Sequence, residues 1–277
     1  MLNRYLLVLL VCLGLTANSI PLFLINEVTV AGVQVSIIKP KGQSIGQILL
    51  LPGWNYSRHK TTTESNICSA AIAAGYTVVI PEMLKSVYAS QIFPETRTDW
   101  AVYPLIGWVT DSLIPFLQQK QQIFLKGQNN YIMGISTGAR GQALILENQR
   151  VEGLFCAGVG LSGDYNQMEM PNDPLMTGFY GPSTTFKERW RGVDNPWINA
   201  LKIEIPILLC HGSKDQIVPV NQTKSFFDKL MVLSPQLGHE LVISPDAGHN
   251  QSFWDSQTKS VLLFFQKHVC KKKSIKN

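Results

Sequence analysis

Hydrophobic and polar residues alternate near the start of the chain, over residues 27–38. Apolar residues lie two apart on both sides of Ala31-Gly32, and such alternation interrupted by a turn predicts a β-hairpin. Later apolar runs are short and unbroken, which is typical of strands covered on both faces in a parallel sheet. These runs occupy residues 48–51, 76–80, 131–133, 154–159, 205–209 and 241–243.

Stretches with helical character lie between these strands. They span residues 61–74, 104–122, 139–149, 221–233 and 252–269. In the last stretch, Phe253, Val261, Phe264 and Phe265 recur among polar residues as one helix face. Strands that alternate with helices after an opening hairpin predict a three-layer α/β fold with a mostly parallel sheet.

Two segments do not follow this alternation. Residues 86–103 carry aromatic and turn-forming residues, and residues 162–199 contain Gly, Pro and aromatic residues without a clear period. A loop as long as the second usually has a function, for instance as a lid, but a surface insertion packed by its own aromatic residues fits equally well. No linker divides the chain, so residues 20–277 are predicted to form one domain in which 162–199 is a lid-like insertion.

Composition indicates a globular protein whose body is electrically neutral. The chain has 277 residues, of which 45% are hydrophobic and 16% charged, so it is too long and too apolar to be a disordered tail. The formal charge of +5 is explained by Arg4 and by four lysines in a basic tail over residues 271–277. Between these ends, 19 basic residues balance 19 acidic ones, so no basic face for nucleic acid is expected.

The first nineteen residues have the pattern of a secretory signal peptide. Arg4 precedes an apolar run of eleven residues over 5–15, and Ala17 and Ser19 form a small-x-small cleavage site. The alternative is an uncleaved anchor, although eleven apolar residues are few for spanning about 30 Å of hydrocarbon. No other run is long enough to cross a bilayer. We therefore expect a periplasmic or secreted protein with no membrane span after removal of residues 1–19.

The motif with chemical meaning is Gly134-Ile135-Ser136-Thr137-Gly138, between an apolar strand and a helical stretch. A strand that turns sharply into a helix strains the serine backbone, and the flanking glycines supply room for the turn. The serine hydroxyl then stands exposed at the carboxyl edge of the sheet. Ser136 is therefore predicted to be a nucleophile.

A serine hydroxyl needs a base, and the base in turn needs an acid that orients it. His249 follows the strand at 241–243, and Asp215 follows the strand at 205–209. The chain order serine, acid, histidine is the one found in this strand–turn–helix architecture. Asp164 is a second possible acid after the strand at 154–159, whereas Asp246, three residues before His249, is expected to shape the turn.

These residues resemble the α/β-hydrolase superfamily over about residues 45–269, most clearly in 134–138, 211–219 and 247–249. The resemblance implies an eight-stranded, mostly parallel sheet with helices on both faces, and Ser136, His249 and Asp215 as nucleophile, base and acid. Within the superfamily, the chain looks most like small esterases of the dienelactone-hydrolase-like kind, which typically carry cysteine where this chain has Ser136.

The same resemblance implies an oxyanion hole formed by two backbone N–H groups. One belongs to Thr137, directly after the nucleophile, and the other to Trp54, in the loop after the strand at 48–51. His211 resembles the superfamily's structural His-Gly pair at a strand end. No cofactor is required, and the sequence contains no motif for a metal.

Export leaves four cysteines in an oxidising compartment: Cys68, Cys156, Cys210 and Cys270. Cys156 and Cys210 lie in apolar runs and are expected to be small core residues. In the superfamily, the first and last helices pack on the same face of the sheet, so the resemblance implies a possible Cys68–Cys270 disulfide. The alternative is four free thiols.

Together these observations predict a secreted serine hydrolase that cleaves a carboxylic ester of a small-molecule or acyl substrate. An amidase or peptidase would use the same three residues. A binding protein on the hydrolase scaffold is a third interpretation, because a fold does not determine a function.

Overall fold

The computed structural model describes residues 23–270, so the predicted signal peptide 1–19 and the basic tail 271–277 lie outside the described residues. One eight-stranded sheet has the strand order β1-β2-β4-β3-β5-β6-β7-β8. The strands are β1 (Phe23–Val30), β2 (Val33–Pro40), β3 (Gly46–Leu51), β4 (Tyr76–Pro81), β5 (Asn130–Ile135), β6 (Ala157–Leu161), β7 (Ile207–Gly212) and β8 (Glu240–Ser244).

The predicted opening hairpin is formed by β1 and β2. Its turn, Ala31-Gly32, has positive φ at both residues, 45° and 86°, as a two-residue hairpin turn with the right twist requires. The β1–β2 and β2–β4 pairs are antiparallel, and all later pairs are parallel. The predicted mostly parallel eight-stranded α/β fold is therefore confirmed.

Helices follow the strands in the predicted places, but two of the predicted stretches, 61–74 and 252–269, are each divided into two helices, and the stretch after Pro104 is irregular. The stretch at 61–74 is two helices that meet at Ser65, whose hydroxyl caps the second by accepting from the Cys68 N–H. The stretch after Pro104 mixes α-helical turns with π-helical turns at Val109–Leu113 and Leu117–Gln121. The α-helices are α1 (Arg58–Glu64), α2 (Asn66–Ala73), α3 (Ile106–Trp108), α4 (Ile114–Phe116), α5 (Thr137–Leu146), α6 (Pro174–Tyr180), α7 (Lys187–Arg191), α8 (Pro196–Asn199), α9 (Asn221–Leu233), α10 (Gln251–Ser256) and α11 (Thr258–Lys267).

Apolar cores lie on both faces of the sheet. Buried residues of α2 and α11, such as Ile67 and Phe264, pack on one face. Leu113, Leu144 and Phe226, from the stretch after Pro104, α5 and α9, pack on the other. Every buried strand therefore has apolar partners above and below, which explains the unbroken apolar runs in the sequence.

The two segments without a clear period pack against each other. Their shared cluster, called here the insertion core, contains the buried residues Val87, Ala89, Trp100, Met176, Phe179, Tyr180 and Trp190. Backbone hydrogen bonds join them as well, since the Arg97 N–H donates to the Gly178 carbonyl at 3.0 Å. Residues 86–103 and 162–199 thus form one packed unit beside the sheet.

The predicted Cys68–Cys270 disulfide is wrong, because Cys270 is bonded to Cys156 instead. Cys270 lies beyond the end of α11, where its N–H donates to the Asn129 side chain at 3.2 Å, just before β5. Cys156 directly precedes the neighbouring strand β6, so the two cysteines meet at the amino edge of the sheet. Cys68 and Cys210 are free and buried.

Within residues 23–270, no helix combines the length and the apolar character needed to cross a bilayer.

Candidate active site

Ser136 occupies the turn between β5 and α5 in a strained conformation. Its φ is 56° and its ψ is −124°, values that non-glycine residues rarely adopt. The turn requires glycine on both sides: a Cβ at Gly134 would overlap the Gly138 backbone, and a Cβ at Gly138 would overlap the Leu51 carbonyl. The predicted sharp turn is therefore present, with Ser136 at the carboxyl edge of the sheet.

The structure brings Ser136, His249 and Asp215 together. His249 Nε2 lies 3.0 Å from Ser136 Oγ, and His249 Nδ1 lies 2.7 Å from Asp215 Oδ2. The three residues come from loops after β5, β8 and β7, and parallel strands place these loops at one edge. Because Nδ1–H donates to the carboxylate, Nε2 is left to accept the proton of the serine hydroxyl.

Asp215 is fully engaged as an acceptor. Its Oδ1 accepts from the backbone N–H groups of Ile217 and Val218, both at 2.9 Å, and its side chain has no exposed surface. Burial raises the pKa of Asp215, but hydrogen bonds from His211, His249 and the Val218 N–H outweigh burial and hold the pKa well below its usual range. The carboxylate is thus charged and fixed in orientation beside His249.

Two contacts that the sequence did not predict hold the histidine and the acid. The Trp254 ring lies edge-on to the His249 ring, with centroids 5.3 Å apart, and its Nε1–H donates to Ser162 Oγ at 3.1 Å. His211 is completely buried and contacts Asp215 Oδ2 at 3.2 Å. The spacing His211-x-x-x-Asp215 was visible in the sequence, whereas nothing local pointed to Trp254.

The two predicted oxyanion donors lie next to the nucleophile. Thr137 is the first residue of α5, where helix N–H groups lack intrahelical acceptors and the helix dipole is positive. In the Trp54 loop, Gly53 packs so closely that a Cβ there would lie 3.2 Å from Ser136 Cβ. The Trp54 N–H donates to no acceptor within the described part of the chain. The Trp54 side chain packs edge-on against Trp100, with centroids 4.6 Å apart.

The alternative acid, Asp164, has another partner. Its Oδ2 lies 3.5 Å from Arg140 Nη1, and the structure gives its carboxylate no hydrogen bond to His249. Burial raises the pKa of Asp164 to about 6, although the Arg140 charge opposes this shift. Asp246 has a positive φ of 60° in the turn before His249 and pairs with Lys214 on the surface. Asp215 is therefore the acid that the geometry joins to His249.

Arg140 connects the nucleophile helix with the insertion. It is completely buried on α5, one turn after Ser136. Its Nη2 donates to Gln167 Oε1 at 2.6 Å, to the Tyr180 hydroxyl at 3.2 Å and to the Asp194 carbonyl. All of these partners, like Asp164, belong to residues 162–199, so the insertion is anchored to the helix that follows Ser136.

Comparisons with known proteins agree with this fold. The model of the prolyl oligopeptidase family matches residues 111–272. A search of curated proteins found no match.

Solved structures resemble the chain at low sequence identity. Acylaminoacyl peptidase from Pyrococcus horikoshii is 17% identical, with a TM-score of 0.69, over 92% of this chain and 43% of the peptidase. S-formylglutathione hydrolase from Staphylococcus aureus is 16% identical, with a TM-score of 0.69, over 88% of this chain and 98% of that enzyme. An esterase from Pyrococcus furiosus is 17% identical, with a TM-score of 0.62, over 89% and 92% of the respective chains. The chain thus spans under half the length of the peptidase.

Proposed function

We propose that the chain, which belongs to the prolyl oligopeptidase family, is an exported serine hydrolase that cleaves carboxylic esters with Ser136, His249 and Asp215. The observation that carries the proposal is the continuous hydrogen-bond chain from Ser136 Oγ through His249 to Asp215 Oδ2. Its substrate is a small-molecule or acyl ester, and the reaction uses no cofactor.

The proposed reaction is acyl transfer in two halves. His249 Nε2 takes the proton of Ser136 as the serine oxygen attacks the ester carbonyl, and the same proton then passes to the departing alcohol. Water attacks the resulting acyl-enzyme in the second half, releases the acid and restores Ser136. Asp215 keeps His249 in the required tautomer and stabilises its positive charge.

The N–H groups of Trp54 and Thr137 are proposed to hold the negative oxygen of the tetrahedral intermediate. Donors that are fixed before the reaction stabilise this charge without reorganisation, and loss of one donor lowers the rate by roughly 10²–10³. The free Trp54 N–H and the position of Thr137 at the positive end of α5 support the assignment.

A peptidase or amidase is the second candidate, favoured by the family match and by the likeness to acylaminoacyl peptidase. The likeness to an S-formylglutathione hydrolase and to an esterase over most of their lengths favours an ester. Hydrolysis of p-nitrophenyl butyrate compared with p-nitrobutyranilide, the amide of the same acid, separates the two candidates. Faster cleavage of the anilide would reject the ester assignment.

Fluorophosphonate labelling of the mature protein tests the nucleophile. We expect labelling of the wild type and of Ser69→Ala, an exposed serine on α2, and none of Ser136→Ala. Labelling that persists in Ser136→Ala would reject Ser136 as the nucleophile. A folded wild type that is not labelled would favour a binding protein on the hydrolase scaffold.

Export is proposed from the pattern of residues 1–19 and is supported by the Cys156–Cys270 disulfide, since disulfides persist in oxidising compartments. The mass of the protein after expression with an active secretion system tests it. We expect loss of the first nineteen residues, whereas an intact N-terminus on a membrane-bound protein would support the uncleaved anchor instead.

A further inference from the structure

Tyr88, in the loop after β4, has a buried hydroxyl that the proposed reaction does not use. The side chain is completely buried, and its hydroxyl donates to the Pro52 carbonyl at 2.8 Å. Burial raises the pKa of Tyr88 well above its usual value, so the phenol keeps its proton and can donate. Pro52 lies two residues before Trp54, the proposed oxyanion donor.

A second hydrogen bond from the loop after β4 fixes the backbone on the C-terminal side of Trp54. The Asn55 N–H donates to the Leu84 carbonyl at 2.8 Å. The peptide groups before and after the Gly53–Trp54 peptide are therefore each tied to residues 84–88. With both neighbours held, the direction of the Trp54 N–H is determined as well, although this N–H itself has no acceptor.

The loop that provides these contacts has an unusual backbone. Leu84 and Tyr88 have positive φ values of 41° and 57°, in the left-handed region that non-glycine residues seldom occupy. Such conformations persist where the surroundings enforce them, and they concentrate near functional sites. Here they aim the Leu84 carbonyl and the Tyr88 side chain at the Trp54 loop.

The Tyr88 ring also contacts the nucleophile helix. A Cβ at Gly141 of α5 would overlap the ring, so this helix position leaves room for the aromatic side chain. Through its hydroxyl Tyr88 contacts the loop of Trp54, and through its ring the helix that begins with Thr137. The Tyr88 side chain therefore lies between the Trp54 loop and α5, the two elements that carry the proposed oxyanion donors.

We propose that Tyr88 is a positioning residue for the oxyanion hole, which keeps the Trp54 N–H at the correct distance and angle from Ser136 and Thr137. This inference rests on the proposed function. An interaction realised only in the transition state affects kcat more than KM when it is lost. Removal of the Tyr88 hydroxyl is therefore expected to reduce kcat and leave substrate binding nearly unchanged.

The test compares Tyr88→Phe with Tyr165→Phe. Tyr165 is also completely buried, but its hydroxyl has no hydrogen-bond partner in the described part of the chain, so its loss removes no such contact. Measurements are the kcat and KM for p-nitrophenyl butyrate, inhibition by a trifluoromethyl ketone, which forms a tetrahedral adduct on serine, and the amide ¹H–¹⁵N resonance of Trp54. Thermal unfolding curves of both variants identify a temperature at which both are folded, and all assays are run at that temperature.

For Tyr88→Phe we expect kcat to fall roughly 10- to 100-fold with KM within about twofold. Affinity for the ketone should fall by a similar factor to kcat/KM, and the Trp54 resonance should move. Tyr165→Phe should leave all of these values near those of the wild type. An unchanged kcat or an unchanged Trp54 resonance in Tyr88→Phe would overturn the proposal.

Failure of the proposed function has a different signature. A wild type that neither hydrolyses esters nor reacts with the fluorophosphonate would reject the serine esterase, whatever Tyr88 does. In that case the Trp54 resonance alone decides whether Tyr88 positions the loop: a shift confined to Tyr88→Phe supports this role, and no shift rejects it.

Discussion

His211 Nε2 lies 3.2 Å from Asp215 Oδ2, the oxygen that also accepts from His249. The same Nε2 lies 2.9 Å from the Val218 carbonyl, which only accepts, so Nε2 carries a proton. Nδ1 lies 2.6 Å from the Thr223 hydroxyl, which can donate to it. The residue predicted to be structural thus holds the same carboxylate oxygen of the candidate acid that His249 contacts.

Replacement of His211 is expected to lower activity through Asp215. In His211→Leu the carboxylate loses one donor and gains freedom to rotate, so kcat/KM should fall about tenfold or more. In His211→Gln the amide group can donate from a similar position and should restore part of the loss. Ester hydrolysis by both variants checks this expectation, and equal activity of Leu and Gln variants would show that the donor is irrelevant.

The lowered pKa of Asp215 predicts how stability depends on pH. In the unfolded chain, the Asp215 carboxyl has a pKa of about 4 and binds a proton below that pH. In the folded protein, the lowered pKa keeps the carboxylate charged at these pH values. This contribution to the free energy of unfolding is therefore present above pH of about 4 and lost as the pH falls below it. Urea unfolding of the wild type at several pH values should show this loss, and Asp215→Asn should show less of it.

Asp246→Asn is the control for this experiment. Asp246 is exposed beside Lys214, and surface pairs contribute little to stability. The free energy of unfolding of Asp246→Asn should therefore fall with decreasing pH as it does in the wild type. If Asp215→Asn lost stability with acid as steeply as the wild type does, the depressed pKa of Asp215 would be contradicted.

The close approach of Gly138 to the Leu51 carbonyl predicts that a methyl group is not tolerated there. In Gly138→Ala, α5 must move away from β3, with a loss of about 1–3 kcal/mol in unfolding free energy and of fluorophosphonate labelling. Gly42→Ala, at an exposed position where a Cβ meets nothing within 4 Å, should keep both properties. Chemical denaturation and labelling of the two variants measure the difference.

Loss of the Arg140 side chain should release the insertion. Removing one partner of a buried, hydrogen-bonded charge pair lowers stability by about 3–5 kcal/mol, because the other partner remains buried and uncompensated. Arg140→Met should therefore unfold in less urea and be cleaved by proteases within residues 162–199.

Arg150→Met is the matched control for Arg140. Arg150 is exposed and paired with Asp111 on the surface, so its loss should change stability by about 1 kcal/mol or less. Equal protease sensitivity of the two variants would contradict the anchoring role of Arg140.

The disulfide should be detectable in the unreduced protein after removal of residues 1–19, with Cys68 and Cys210 as free thiols and with Cys156 linked to Cys270 in one peptide pair. The bond closes a long loop, and the entropic model assigns about 4–5 kcal/mol to such a closure. Cys156→Ser, Cys270→Ser and the double variant should therefore lose similar amounts of stability. A double variant much less stable than either single one would contradict the pairing.

Sequence alone placed Ser136, Asp215 and His249 because each follows a short apolar run. Parallel strands carry all such positions to one edge, so strand order predicted that these residues meet, although it left Asp164 as a second possible acid. The disulfide could not be obtained in this way. Cys270 follows the last helix by three residues, and whether it reaches Cys68 or Cys156 depends on where the chain leaves α11.

The supporting residues were beyond sequence reasoning for a related reason. Arg140 contacts Asp194, 54 positions away, and Tyr88 contacts Pro52, 36 positions away. Neither contact has a local pattern, since a buried arginine and a buried tyrosine are recognised only when their partners are known. The positive φ of Tyr88 is likewise a product of its surroundings.

The Arg140 contacts have a consequence for the modularity of this protein. An insertion joined to a scaffold at its two ends alone could be shortened or exchanged between relatives. Here the guanidinium on α5 donates hydrogen bonds to Gln167, Tyr180 and Asp194. A chimera that exchanged residues 162–199 without regard to Arg140 would leave its buried positive charge without these partners, so the insertion and the nucleophile helix must be transplanted, and must evolve, as one piece.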